Sequence, residues 1–206
     1  MLRIWGRLSS INVRKVVWAA QEVEVPFERI EAGGSFGVVN TSIYLDLNPN
    51  AMVPAIQDGE LTLWESNTIV RYLCAKYAGG SLYPGLLEAR FNAERWMDWQ
   101  QTALNPATRN AFLQLIRTPV GLQQPDLICR SVDETERLLV LLDAQLGEHE
   151  FIAGEQFSMA DIPVACEIHR WFGLPRTRIK HPHIERWYAG LWQRRTSQGV
   201  LDFALS

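Results

Sequence analysis

The sequence predicts an α/β domain followed by an all-helical one, and three observations carry that expectation. Strand-like alternation is confined to the first third of the chain, a stretch punctuated by Gly and Pro follows it, and every long segment beyond has a helical period. At 206 residues there is room for two compact units, each with its own core.

Leu2-Arg3-Ile4-Trp5 alternates before Gly6 and reads as a strand, and from Asn12 onward Val13, Val16, Val17 and Ala20 fall at helical spacing. Pro26 precedes Phe27-Glu28-Arg29-Ile30, a second short strand, so the first helix is expected to cross over between parallel strands. After a loop at Gly33 to Gly37, a short helix is expected near Ser42 to Leu47. Ala55-Ile56-Gln57 and Leu61-Thr62-Leu63-Trp64 flank Asp58-Gly59-Glu60, and Asp-Gly signals a tight hairpin. Ser66 opens an amphipathic helix carrying Ile69, Val70, Leu73 and Tyr77. The first domain is thus expected at residues 1–79, a linker with Gly80 and Pro84-Gly85 at 80–85, and the helical domain at 86–206.

In that second part Leu138, Leu141, Leu142 and Leu146 share one helical face, as do Ile184, Trp187, Tyr188 and Leu191. Phe157-Ser158-Met159-Ala160-Asp161-Ile162 carries a helix-start device. Ser158 can cap, Asp161 can bond back to the Ser158 amide, and Phe157 can staple against Ile162.

Composition narrows the function classes. A net charge of -3 and no run of five like charges leave no field to gather phosphates, so no nucleic-acid partner is expected. Cys74, Cys129 and Cys166 sit far apart in apolar runs and read as buried thiols in a reducing compartment. The first residues lack a basic region followed by an apolar one, and no long apolar run occurs, so a cytoplasmic protein without a membrane partner is expected. His149 and His169 stand alone and His181-Pro182-His183 looks like a turn, so no metal site is expected.

Asn48-Pro49-Asn50-Ala51-Met52-Val53-Pro54, Glu65-Ser66 and Ser158 to Ile162, in this order and across essentially the whole chain, resemble the segments of cytosolic glutathione transferases, in particular bacterial serine- or asparagine-type members of theta or beta character. The resemblance implies a thioredoxin-like α/β domain, an all-α bundle, a cis bond before Pro54, a homodimer, and glutathione as co-substrate with no other cofactor. It also implies addition of the glutathione thiolate to a small hydrophobic electrophile, or glutathione-dependent peroxide reduction. A zeta-like cis-trans isomerase and a non-catalytic adaptor of the same fold are the alternatives.

The residues themselves suit that chemistry. A cis Val53–Pro54 bond would turn the Val53 amide and carbonyl toward an extended peptide as an added strand, and glutathione is such a peptide. The Ser66 hydroxyl and the amides at its helix start suit the γ-glutamyl carboxylate, and Glu65 the ammonium. Simple capping by Ser66 and a solvated Glu65 are the competing roles. Met52, where many relatives carry a basic residue, cannot meet the glycine carboxylate, which leaves Arg7 to be considered.

The thiol must be held as thiolate, and the first loop, Gly6 to Val16, has no Tyr or Cys to do so. Counting four back from Arg14, as in theta and delta enzymes, gives Ser10. Asparagine-type relatives raise Asn12, and the zeta Ser-Ser-Cys run raises Ser9, although Ile11 here replaces its cysteine. Capping of the first helix is the competing role for Ser10 and Asn12. In the helical domain Arg109 and Phe112 are the substrate-pocket candidates, with an anionic or nitro-bearing electrophile favoured if Arg109 points inward. Trp96, Trp99 and Ala103 share a face that is more often core. Asn67 and Arg71 are expected at the dimer interface.

Overall fold

The computed structural model describes residues 1–206. The first part builds a four-stranded sheet in the order β2-β1-β3-β4, from β1 (Leu2–Trp5), β2 (Phe27–Ile30), β3 (Ala55–Asp58) and β4 (Leu61–Trp64). β2 runs parallel to β1, Leu2 opposite Phe27, because α1 (Ile11–Glu22) carries the chain back across the sheet. β3 is antiparallel to β1, with Ile4 opposite Ile56, and it turns into β4 through Gly59 at φ +64°.

One face of the sheet presents Leu2, Ile4 and Ile56 to Val13, Val16 and Val17 of α1 and to Ile69, Val70 and Leu73 of α3 (Ser66–Tyr77), all buried. The other face buries Ala55 and Ala32 under Tyr44 of α2 (Ser42–Leu47). This is a thioredoxin-like layering. Tyr77 leaves the apolar stripe assigned to it and stands at the surface, where its hydroxyl donates to Asp58 at 2.7 Å.

The connecting stretch is not structureless, since β5 (Gly79–Gly80) and β6 (Tyr83–Pro84) pair in parallel. Five helices follow: α4 (Leu87–Trp99), α5 (Asn105–Phe112), α6 (Pro125–Glu148), α7 (Asp161–Phe172) and α8 (Pro182–Trp192). Between α4 and α5 the helix widens into a π-turn at Gln100–Leu104, directly before Pro106, which has no N–H to donate to the preceding turn. A second π-turn, Leu113–Arg117, follows α5.

Two expectations fail here. On α6 the buried stripe is Ser131, Thr135, Leu139, Leu142 and Leu146, and Leu141 points outward at 49% exposure, because the real helical phase lies one residue off the leucine count. Cys129 is exposed at the start of the same helix, while Cys74 and Cys166 are buried. Of the solvated and core alternatives for the histidines, His181 takes the second: it is buried ahead of α8, and its Nε2 meets Glu136 at 2.8 Å.

The apolar core runs without a break from the sheet into the bundle. Trp18 of α1 lies 6.0 Å from Phe157, and α1 packs directly on α7. Asp161 ties the start of α7 to its surroundings: the Ser158 amide donates to it at 2.9 Å, the Ile152 amide at 3.1 Å and the Trp187 indole at 2.9 Å. Its Oδ2 also lies 3.4 Å from the Ser158 hydroxyl, which accepts from the Ala160 amide at 3.3 Å, so the expected cap is formed. Burial pushes the Asp161 carboxyl up to about 6.

Candidate active site

The loop from Gly6 to Ser10 leaves β1 and ends at the start of α1. Ser10 takes the extended backbone of a helix cap, and its carbonyl accepts from Val13 and Arg14 at 3.1 Å each, but its side chain makes no capping bond. The Ile11 and Asn12 amides enter no backbone hydrogen bond either. An uncapped hydroxyl and free amides thus meet at the positive end of a helix, an arrangement suited to an anion.

Asn12 is engaged differently. Ser66 donates to its Oδ1 at 3.2 Å, so the starts of α1 and α3 are bound to each other. Glu65 precedes α3 at φ +71° and projects into solvent.

The Val53–Pro54 bond is cis, and the Val53 amide and carbonyl take part in no internal hydrogen bond. Neighbours hold the loop in place. The Met52 carbonyl accepts from the Tyr44 hydroxyl at 2.7 Å and from the Asn48 side chain at 2.8 Å, and Asn48 also accepts from the Asn50 amide at 3.0 Å. The Val53 side chain packs against Gly6 and Gly33, where even a methyl group would come within 3.3 Å of it.

Ser9, Ser10, Asn12 and Met52 line one face of a cleft of about 310 Å³ between the domains, and Arg109 and Phe112 line the opposite face. Val53, Pro54, Glu65 and Ser66 are not part of that wall. They join it through Met52 and through the Ser66–Asn12 bond. Trp96 is buried, and with Trp99 it borders a separate surface groove against α6. Of Asn67 and Arg71, expected at a dimer interface, only Asn67 is withdrawn from the surface. Asn67 is buried and donates to the Met97 carbonyl at 2.8 Å, while Arg71 pairs with Glu94 and Asp98 on α4, so both face the chain's own helical part.

Several further residues stand around the cleft, and of these only Arg14 entered the expectations above, as the position from which Ser10 is counted. Arg14 is buried and donates to the carbonyls of Leu8 (2.8 Å), Val200 (3.3 Å) and Ala204 (2.8 Å), which binds the first loop to the last residues of the chain. Lys15 is fully buried and reaches only amide oxygens, of Asn67 (3.3 Å), Gln100 (2.9 Å) and Gln101 (3.2 Å). Burial lowers its pKa to about 8. Arg117 and Arg170 line the cleft beside Phe112. Arg14 and Lys15 are α1 residues that fall off its apolar spacing, yet the bundle covers that side of the helix.

No helix is long and apolar enough to cross a membrane.

Known proteins agree with this geometry. The family model for the glutathione S-transferase N-terminal domain matches residues 1–75, and the one for the C-terminal domain matches residues 109–194. The glutathione S-transferase GstB of Escherichia coli is 38% identical over the whole of both chains. A probable glutathione S-transferase of rice, GSTF2, is 26% identical over 97% of this chain and 95% of its own. A theta-class glutathione S-transferase from Xanthomonas axonopodis pv. citri, solved with glutathione bound, superposes with a TM-score of 0.96 at 41% identity, over 100% of this chain and 99% of that one. With both domains matched in order and a relative aligned from end to end, the chain belongs to the glutathione transferase family.

Proposed function

We propose that the protein conjugates glutathione to a small electrophile, with the Ser10 hydroxyl holding the sulfur as thiolate. The observation that carries this reading is the unspent Ser10 side chain, which faces the cleft at the uncapped start of α1. The thiolate is the nucleophile, and a free thiol with a pKa near 8.5 is mostly protonated at neutral pH. A hydroxyl donating to the sulfur, together with the Ile11 and Asn12 amides, favours the charged form. The sulfur then attacks the electrophilic carbon, a C–S bond forms, and the leaving group departs with the bonding pair.

In this reading the peptide part of glutathione lies along Val53, whose amide and carbonyl are open to a strand-like partner. Ser66, braced by Asn12, takes the γ-glutamyl carboxylate, and the exposed Glu65 takes the ammonium. Arg7 lies against Gly33 and Gly34, near Met52 on the same wall, and is placed for the glycine carboxylate. The enzyme acts as a homodimer, a reading supported by the apolar Phe91 and Leu141 standing exposed on α4 and α6.

The test is retention on immobilised glutathione together with conjugation of 1-chloro-2,4-dinitrobenzene. Retention and turnover are expected. Failure of both, with no ultraviolet thiolate signal on adding glutathione, would leave the adaptor reading.

A further inference from the structure

Thiol activation at Ser10 does not account for the charge of the cleft. Of its seventeen lining residues five are arginines and none is Asp or Glu, in a chain of net charge -3. Arg14 is occupied by three main-chain carbonyls. Arg7 sits on the glutathione side, which leaves Arg109, Arg117 and Arg170 on the helical side.

None of these three is saturated. No Asp or Glu side chain pairs with Arg109 or Arg117. Arg117 reaches only the main-chain oxygen of Ser206, at 3.1 Å. Arg170 is buried, 7% exposed, and its Nη2 serves Asn105 (3.0 Å), Thr108 (2.8 Å) and Glu167, yet its Nε is buried with no partner at all. The acidic side chain nearby, Glu167, is already committed. Glu167 accepts from Arg170 and Thr108 on one oxygen, and from Gln100 at 2.9 Å on the other.

The guanidiniums of Arg117 and Arg170 lie 4.8 and 5.0 Å from the centroid of the same Phe112 ring, so two cations and an apolar surface face one small volume. Their mutual repulsion is felt: burial first, then Arg7 and Arg170, weaken the hold of Arg117 on its proton. Arg170 is paired with Glu167, but its Nε, with Arg109 and Arg117, leaves donors without an acidic side-chain partner in a partly desolvated cleft, and an anion placed among them meets those donors.

We propose that Arg109, Arg117 and Arg170 form a subsite for an anionic group on the electrophile, and that the preferred acceptor is a small carboxylate-bearing molecule whose reactive carbon faces Ser10. The inference rests on the conjugation reading given above. The carboxylate keeps its charge throughout and serves as the handle, with Phe112 supporting the body of the molecule. The thiolate sulfur forms the new C–S bond, and the halide or other leaving group departs with its electron pair.

A matched pair of acceptors isolates the charge: 4-chloro-3,5-dinitrobenzoate and its neutral amide, assayed at low salt with saturating glutathione. With each value divided by that compound's uncatalysed rate with glutathione, the wild-type ratio of kcat/KM, benzoate over amide, is expected to exceed about tenfold, as one charge-assisted contact provides. In Arg109→Gln/Arg117→Gln it falls toward unity. Arg109→Gln alone alters one exposed side chain, so it keeps the test usable should the double variant misfold, and it is expected to lower the ratio about threefold. A wild-type ratio near unity, or one unchanged in the variants, overturns the subsite while leaving conjugation intact. If the variants instead raise the KM for glutathione and leave the ratio alone, the arginines serve the glycine carboxylate and the proposal is wrong. Absence of turnover with either compound overturns the conjugation reading, and this proposal with it.

Discussion

Replacing Ser10 by alanine removes a hydroxyl on which the fold does not depend. The Ser10 side chain caps nothing, and the main-chain bonds from Val13 and Arg14 that start α1 remain. A hydrogen bond to a charged sulfur contributes about 1.5–3 kcal/mol, equivalent to lowering the thiol pKa by about one to two. The helix start adds a smaller amount that survives the substitution. With free thiol near 8.5, bound glutathione is expected to titrate near 7 in the wild type and about 8 or above in Ser10→Ala. At pH 6.5 the thiolate fraction, and kcat with it, should therefore drop roughly tenfold or more, and the two proteins should converge within about threefold above pH 9. Thiolate absorbance of the glutathione complex, titrated against pH, reads the effect directly, and the pH profile of kcat reads its kinetic consequence. If the bound thiol titrates at the same pH in both proteins, Ser10 does not hold the sulfur, and Ser9 or the Asn12 side chain becomes the group to test.

Asn12→Ala breaks the brace on Ser66 and should raise the KM for glutathione about five- to tenfold while leaving the thiol pKa within a few tenths, a split that steady-state kinetics across pH resolves. Asp161→Ala strands the amides of Ser158 and Ile152 and the Trp187 indole, and should cost roughly 3 kcal/mol in urea unfolding; a loss under about 1 kcal/mol would show that water replaces the carboxylate. Lys15 has its pKa lowered on folding, from 10.5 to about 8, so below pH 8 the folded state bears the full cost of its charge. Between pH 8 and 10.5 the unfolded chain binds the extra proton, and stability contributed at this site rises with pH by an amount on the order of 3 kcal/mol. The stability difference between wild type and Lys15→Met should move in favour of the wild type across that range, and a pH-independent difference would contradict the burial.

The layers of the fold were legible because local signals agreed with tertiary ones: Leu2 and Ile4 alternate into the core, Asp58-Gly59 makes the turn, and Ser158 with Asp161 opens α7. Leu141 and Cys129 were misplaced because an amphipathic count fixes which residues share a face, not which way that face turns once two other helices compete for it. At the cleft, Ser9, Ser10 and Asn12 come to one wall together because they are near neighbours in one loop, which spacing alone can show. Arg117 and Arg170 could not, because their significance comes from meeting at one aromatic ring although 53 positions apart. Asn67 and Arg71 were expected at a dimer interface, and their polar contacts with α4 could not be read from one helix.

The bonds of Arg14 also carry a meaning for how the molecule is made. The Leu8 carbonyl belongs to a loop translated at the outset, yet the guanidinium that holds it is itself fixed by residues 200 and 204. During synthesis the sheet can condense while the bundle is still being produced, because domains fold as units from the N-terminal side. The loop after β1 cannot take its final form then. It is set only when residues 200 and 204 have closed over Arg14, so a sheet that condenses ahead of them still lacks the settled loop beside it.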